Sequence, residues 1–311
     1  MKVFKNLDNL PQFKNAVLTI GTFDGVHKGH QKLLDRIHNI AQSNGGESIL
    51  VTFHPHPRFV LQPGNKELKL LNTLEEKIEL LEAYGLDNLV VAPFSKAFSQ
   101  LPALAYMKNF LVENFQPHTI VIGYDHHFGI NRSGNIELLE EYAKVFNYQV
   151  EQITKETIED IDVSSTKIRN ALLSGDIETG EQLLGHPYKL SGYIIKGKQI
   201  GRTIGFPTAN LQLNVDYKLI PKTGVYAVFA YLSGKRYQGM LNIGFRPTVE
   251  GNEKTIEVHI INFDQDIYGE EIQIQLVKRL RDEAKFANLN ELKAQISRDK
   301  IEALNCLRED L

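Results

Sequence analysis

Cysteine occurs once in these 311 residues, at position 306. A lone thiol makes no intrachain disulfide and supplies no cysteine-rich zinc site, so Cys306 reads as an incidental or buried small hydrophobe. Basic excess is missing too: 35 Lys and Arg against 38 Asp and Glu leave a formal charge of −3. A broad nucleic-acid footprint calls for clustered positive charge, so no nucleic-acid partner is expected. Small phosphorylated ligands stay open, because a nest of backbone amides holds them without net charge. Long apolar runs are absent as well. The opening MKVFKNLDNL lacks the apolar stretch of a leader, and nothing in the chain approaches the roughly 18 apolar residues of a membrane span. The expectation is a cytoplasmic protein with no membrane partner.

What is present is globular: 42% hydrophobic and 23% charged residues, in a chain long enough for two domains of roughly 150 residues each. From Asn15 to about Gln152, short apolar runs alternate with helical patterns. The runs are Ala16 to Ile20, Ser48 to Phe53, Asn88 to Ala92, Thr119 to Ile122 and Tyr148 to Ile153. Most are continuously apolar, as strands covered on both faces should be. Leu33, Leu34, Ile37, Ile40 and Ala41 recur at helical spacing, and Thr73 with Glu76 has the spacing of a capping box. Further helices are expected over Ala103 to Asn114, Ile136 to Phe146 and Ser164 to Leu173. This is an α/β, Rossmann-like domain on a parallel sheet. After a turn-rich joint the texture changes, and the boundary is expected near Gly185, giving domains 1–185 and 186–311. Strand-like runs at Lys189 to Ile195, Val225 to Tyr231, Tyr237 to Asn242, Thr255 to Ile261 and Glu271 to Leu280 suggest a small antiparallel barrel. A helix from about Leu289 to Leu307 closes it, with Leu292, Ile296, Ala303 and Leu307 in one stripe.

The first strand runs into GTFDGVHKGH, Gly21 to His30, and then a helix. Gly21, Gly25 and Gly29 permit a tight turn and close backbone approach, and the helix start aims free amides at it. His27 and His30 lie three apart, so both can face one anion and donate hydrogen bonds to phosphoryl oxygens. A plain turn, solvated histidines or a metal pair are the alternatives. Extra ligands for a metal, His54 and His56, sit across two prolines in another loop.

GTFDGVHKGH resembles the signature of bacterial bifunctional riboflavin kinase/FMN adenylyltransferases, the prokaryotic FAD synthetases. FHPHP at Phe53 to Pro57, GYDHHFGINRSG at Gly123 to Gly134 and VSSTKIR at Val163 to Arg169 follow in the family's order. The sequence departs from the pattern at His126, where an aromatic is usual. The resemblance implies adenylyl transfer from ATP to FMN, giving FAD and pyrophosphate. It assigns His27 and His30 to catalysis, and Gly21, Phe23, Asp24, Gly25, Gly29, Ser165, Thr166 and Arg169 to the nucleotide. Phe53, Pro55, Asp125, Phe128 and Asn131 are implied for the flavin.

Farther on, GRTIGFPTAN at Gly201 to Asn210, PKTGVY at Pro221 to Tyr226, NIGFRPT at Asn242 to Thr248 and IEVHIINFDQDIYG at Ile256 to Gly269 resemble riboflavin kinase motifs. Thr208 and Asn210 offer two oxygens on one side of an extended segment, suiting Mg²⁺. A simple turn into a strand is the bland alternative. Ile256, Val258 and Ile260 fall on one face of a strand and Glu257 and His259 on the other. By itself a carboxylate so placed is most often solvated. The resemblance implies that Glu257 is the general base for the ribityl hydroxyl, that Thr208 and Asn210 hold Mg²⁺, and that Gly192, Gly197, Gly201, Arg202, Gly205 and Pro207 border ATP. Arg279 is implied for the flavin, while His259 takes no role. The whole reading is one enzyme converting riboflavin to FMN and FMN to FAD, with ATP as co-substrate and ADP and pyrophosphate as products. A chain with one working module, or a flavin- or nucleotide-binding protein without turnover, are the alternatives.

Overall fold

The computed structural model describes residues 1–65, 67–124, 126–153, 163–197, 201, 204–248 and 251–308. Two compact units divide the chain, Met1–Ser165 and Thr166–Leu311. Among the described residues no helix is long and apolar enough to cross a membrane.

In the first unit, strands β1 (Lys2–Phe4), β2 (Val17–Ile20), β3 (Ser48–His54), β4 (Asn88–Pro93), β5 (Thr119–Gly123) and β6 (Gln149–Ile153) form a parallel sheet in the order β1-β4-β3-β2-β5-β6. Alternate residues feed two cores. Leu18, Ile20, Ile49 and Val51 meet Met107, Phe110 and Phe115 on one face. Val17, Leu50, Leu89 and Val91 meet Leu33, Leu34 and Ile37 of α1 (Lys28–Asn44) and Leu81 of α2 (Leu74–Ala83) on the other. Both faces are therefore apolar, as the unbroken runs in the sequence require. The expected capping box is formed, with Thr73 Oγ1 accepting from Glu76 N and Glu76 Oε2 from Thr73 N. Helical residues 103–115 pass through a wide turn over Tyr106–Val112, and α3 (Ile136–Phe146) follows β5. From β2 the order runs to β3 and β4 on one side and to β5 and β6 on the other. The chain leaving β2 at Gly21 thus stands at a topological switch point, where α/β sheets open a crevice for ligands.

The second unit begins with α4 (from Thr166 of Ser165–Ser174) and α5 (Ile177–Leu184). These helices group with the barrel by backbone contact, whereas the expected boundary near Gly185 lies after them. The Lys222 amide donates to the Leu172 carbonyl at 3.1 Å, and α5 packs on the last strand. Strands β7 (Lys189–Ile195), β8 (Ala209–Leu213), β9 (Gly224–Leu232), β10 (Lys235–Thr248), β11 (Gly251–Ile260) and β12 (Glu271–Arg281) close an antiparallel barrel in the order β10-β11-β8-β7-β12-β9. Helix α6 (Leu289–Arg308) lays Ala303 and Leu307 on Ala227, Phe229 and Met240. One strand, β1, is absent from the sequence pattern: it is a three-residue edge strand beginning with lysine. β8 emerges from the Pro207 turn, as the alternative reading of that segment allows, and pairs with β11 over only two register positions.

Candidate active sites

The Gly21–Gly25 turn is held by residues 71–77, which carry none of the motifs. Asp24 is buried, and its Oδ1 accepts from the Leu71 amide at 2.8 Å. The Gly25 amide donates to Asn72 Oδ1 at 2.7 Å, and Lys77 Nζ donates to the Thr22 carbonyl at 2.6 Å. Gly25 has φ of 88°, the left-handed region that glycine enters without strain. Gly21 passes beneath the Phe23 ring, where an added Cβ would stand 3.0 Å from it.

Both histidines stand at the start of α1. His27 is the N-cap, and its Nδ1 accepts from the His30 amide at 3.4 Å, so its proton sits on Nε2. The rings stack with centroids 3.6 Å apart, and Phe23 stacks on His30 at 4.5 Å. Burial, then the neighbouring His27 and Lys77, hold the His30 pKa well below its ordinary value. His30 is therefore a neutral imidazole at pH 7, and its enclosed Nδ1 has no hydrogen-bond partner. Gly29 is buried beside it, and Ser165 Oγ donates to the Asp24 carbonyl at 3.1 Å. A neutral histidine stack at the positive end of α1 suits an anion, with the buried Lys77 holding the turn beside it.

Of the residues expected at the flavin, Phe53, next to last in β3, lies among the rings of Phe94, Phe98 and Phe110. Pro55 follows His54 through a cis peptide bond and is exposed. Phe128 is buried, stacked on Tyr106 at 5.0 Å, with His126 tilted against it at 6.0 Å. Asn131 is exposed in a single turn, with φ of 54°. Asp125 lies outside the described residues, as does Arg202. Thr166 and Arg169 belong to the second unit by contact; Thr166 is exposed and Arg169 half-buried.

In the second unit a pocket of about 390 Å³ is lined by Gly201, Thr208, Glu257, His259, Arg281 and Ile296, with further residues of β9, β10 and the chain before α6. Its polar row comes from strand register. Glu257 on β11 stands opposite Asn242 on β10 and Asn210 on β8. Directly paired residues share a face, so the three side chains form one row across three strands. Thr208 Oγ1 donates to Glu257 Oε2 at 3.2 Å. Ile256, Val258 and Ile260 are buried on the opposite face, as alternation requires. Carboxylate, hydroxyl and amide oxygens bordering an open pocket fit a hard divalent cation. Gly197 leaves room at this row, since a Cβ there would lie 2.0 Å from Asn210 Nδ2.

The remaining expected residues take structural places around the pocket. Gly201 accepts from the Phe206 amide at 2.9 Å and the Ile204 amide at 3.3 Å, and Gly205 turns the chain at φ of 83°. Gly192 lies in β7, pressed against the Gln212 carbonyl. The Pro207 carbonyl is 2.7 Å from His259 Nδ1; a carbonyl only accepts, so that nitrogen carries the proton. Burial lowers the His259 pKa, and its ring meets Phe206 edge-on at 5.4 Å. Arg279 is not among the lining residues. Its guanidinium donates to the Thr223 carbonyl at 2.7 Å and to Asp282 at 2.5 Å. Arg281 lines the pocket instead, paired with buried Asp299 of α6 through bonds of 2.8 and 2.6 Å.

Comparison with known proteins adds to this geometry. The FAD synthetase family model matches residues 10–167 and the riboflavin kinase family model residues 184–307. The chain is 40% identical over 287 residues to a bifunctional riboflavin kinase/FMN adenylyltransferase of Listeria monocytogenes, covering 92% of this chain and 90% of that one. It is 38% identical over 294 residues to the protein of the same description in Bacillus subtilis, covering 93% and 92%. Its fold is similar to a crystal structure from Streptococcus pneumoniae described as a macrolide-efflux protein, with TM-score 0.87, 31% identity, and coverage of 97% of this chain and 98% of that one.

Proposed function

The chain belongs to the bifunctional riboflavin kinase/FMN adenylyltransferase family, and from that premise we propose how its two sites divide the work. The protein phosphorylates riboflavin to FMN and adenylylates FMN to FAD, using ATP in both steps. Adenylyl transfer belongs to residues 1–185 and phosphorylation to residues 186–311. In the first reaction an FMN phosphate oxygen attacks the α-phosphorus of ATP, the bond to the β-phosphate breaks, and pyrophosphate leaves. No enzyme group becomes bonded to substrate, so catalysis is positioning and charge stabilisation. His27 and His30, the start of α1 and Ser165 take the triphosphate, with Gly21, Phe23, Asp24, Gly25 and Gly29 shaping the turn around it and Thr166 and Arg169 as further nucleotide contacts. Phe53, Pro55, Asp125, Phe128 and Asn131 receive the flavin.

In the second reaction Glu257 takes the proton of the ribityl hydroxyl as that oxygen attacks the γ-phosphorus, and ADP leaves. Thr208 and Asn210 hold Mg²⁺, which when bound neutralises phosphate charge. Gly192, Gly197, Gly201, Arg202, Gly205 and Pro207 border the nucleotide. The isoalloxazine enters the pocket under α6, with Arg281 at its wall and Arg279 steadying the strand behind it. With ATP as co-substrate, the reading puts the enzyme in the cytoplasm.

One observation carries the kinase assignment: Asn242 and Glu257, paired across β10 and β11, line a pocket together with Thr208, which is bonded to Glu257. The test is incubation with riboflavin, ATP and Mg²⁺, with the flavins separated over time. FMN should appear first and FAD after it, and chelation of the metal should stop both. FMN without FAD would leave one working module. Neither product would make the chain a binder without turnover.

A further inference from the structure

Helix α2 buries a lysine where its pattern calls for an apolar residue. Leu74, Lys77 and Leu81 share one face, and Lys77 is only 7% exposed. Burying an ammonium is costly, and leucine or methionine would fill the position without that cost. The charge is aimed at the glycine-rich turn, with Nζ 2.6 Å from the Thr22 carbonyl. Thr52 Oγ1 donates to the same oxygen at 3.2 Å. With Leu71 on Asp24 and Asn72 on Gly25, one short stretch of chain grips three residues of the turn.

We propose that Lys77 is a positioning residue for adenylyl transfer, holding Thr22 so that the turn and the histidine stack meet the nucleotide phosphates in one fixed geometry. The proposal rests on the adenylyltransferase reading above. Asp24 faces Lys77 from the turn, His30 faces it from the start of α1 with His27 stacked on that ring, and Glu76 neighbours it on its own helix. Burial lowers the Lys77 pKa to about 8, against the pull of Asp24. The protonated form carries the function, so it is present below that pH and lost as pH rises through it. Phosphate groups have finished titrating by then, their second pKa being about 6. Adenylyl transfer should therefore fall on the alkaline side, while kinase turnover on the same chain should show no matching fall.

The experiment follows FAD formation from FMN and ATP between pH 6 and 10, with kcat and KM separated, in the wild-type full chain, Lys77→Met and Lys77→Arg. Riboflavin phosphorylation by each preparation reports that the chain is intact. Lys77→Met should lose roughly tenfold to a hundredfold in kcat, the scale of one charge-assisted hydrogen bond, and lose the alkaline limb. Lys77→Arg should recover part of the rate, with the limb moved beyond the range because guanidinium does not titrate there. Lys77→Met with wild-type kcat, or with an unchanged alkaline limb, overturns the proposal. If that variant does not fold, the wild-type profile decides: no fall between pH 7 and 9 refutes it. Absence of FAD from the wild type strikes the adenylyltransferase reading itself and the proposal with it.

Discussion

Removing Asp299 perturbs the kinase pocket without touching a reacting group. Its carboxylate is 3% exposed, accepts twice from Arg281, and accepts from Gln295 Nε2 at 2.8 Å. Asp299→Ala leaves the Arg281 fork without its partner. Breaking a buried pair on one side costs about 3–5 kcal/mol. The Arg281 side chain is 23% exposed and keeps the Asp282 carbonyl at 2.9 Å, which argues for a smaller loss of about 2–3 kcal/mol. For a unit of this size that corresponds to a drop of roughly 5–10 °C in melting temperature. Asp299→Asn keeps the shape and one acceptor and should lose about half as much. Because the same pair fixes α6, whose Leu292 and Ile296 line the pocket, KM for riboflavin should rise about tenfold in Asp299→Ala. The assay is thermal loss of kinase activity, followed with circular dichroism, beside steady-state kinetics. Melting within about 1 °C of wild type, with KM within twofold, would refute the reasoning.

Two further outcomes follow from the proposed sites. His30→Ala should lower FAD formation by roughly a hundredfold or more while riboflavin phosphorylation persists, since the proposal makes His30 a phosphate donor in one site only; flavin chromatography reads both rates, and loss of both together would contradict the division of labour. Thr208→Val keeps the volume but removes the oxygen proposed for the metal and the bond to Glu257, so the Mg²⁺ concentration for half-maximal kinase rate should rise roughly tenfold or more; an unchanged metal titration would remove Thr208 from the proposed ligand set.

Much of this was legible because the relevant signals are local. Continuous apolar runs announced the parallel strands, Thr73 and Glu76 announced a helix start, and alternation in Ile256–Ile260 separated Glu257 from the core. What stayed hidden was the meaning of charges within apolar stripes. Asp299 falls in the stripe of Leu292, Ile296, Ala303 and Leu307, and Lys77 in that of Leu74 and Leu81. Read as a fault in the pattern, each would have signalled a buried partner, but the partners, Arg281 and the Thr22 carbonyl, are remote in sequence. The pairing of β8 was hidden for a related reason. It joins β11 and puts Asn210 beside Glu257, and no periodicity in so short a segment carries that. Helices α4 and α5 likewise group with the barrel through contacts that a turn-rich sequence does not disclose.

The most direct test of two separate chemistries on one chain is Glu257→Gln, supplied in parallel with riboflavin and with FMN. Glutamine preserves shape and an acceptor for Thr208 but cannot take the hydroxyl proton. Phosphorylation of riboflavin should fall by about 10² to 10⁴, the usual contribution of a general base. FAD should still form from FMN at the wild-type rate, because that reaction deprotonates no hydroxyl. A variant that keeps more than about a tenth of the kinase rate, or that loses FAD formation from FMN while remaining folded, would contradict the account.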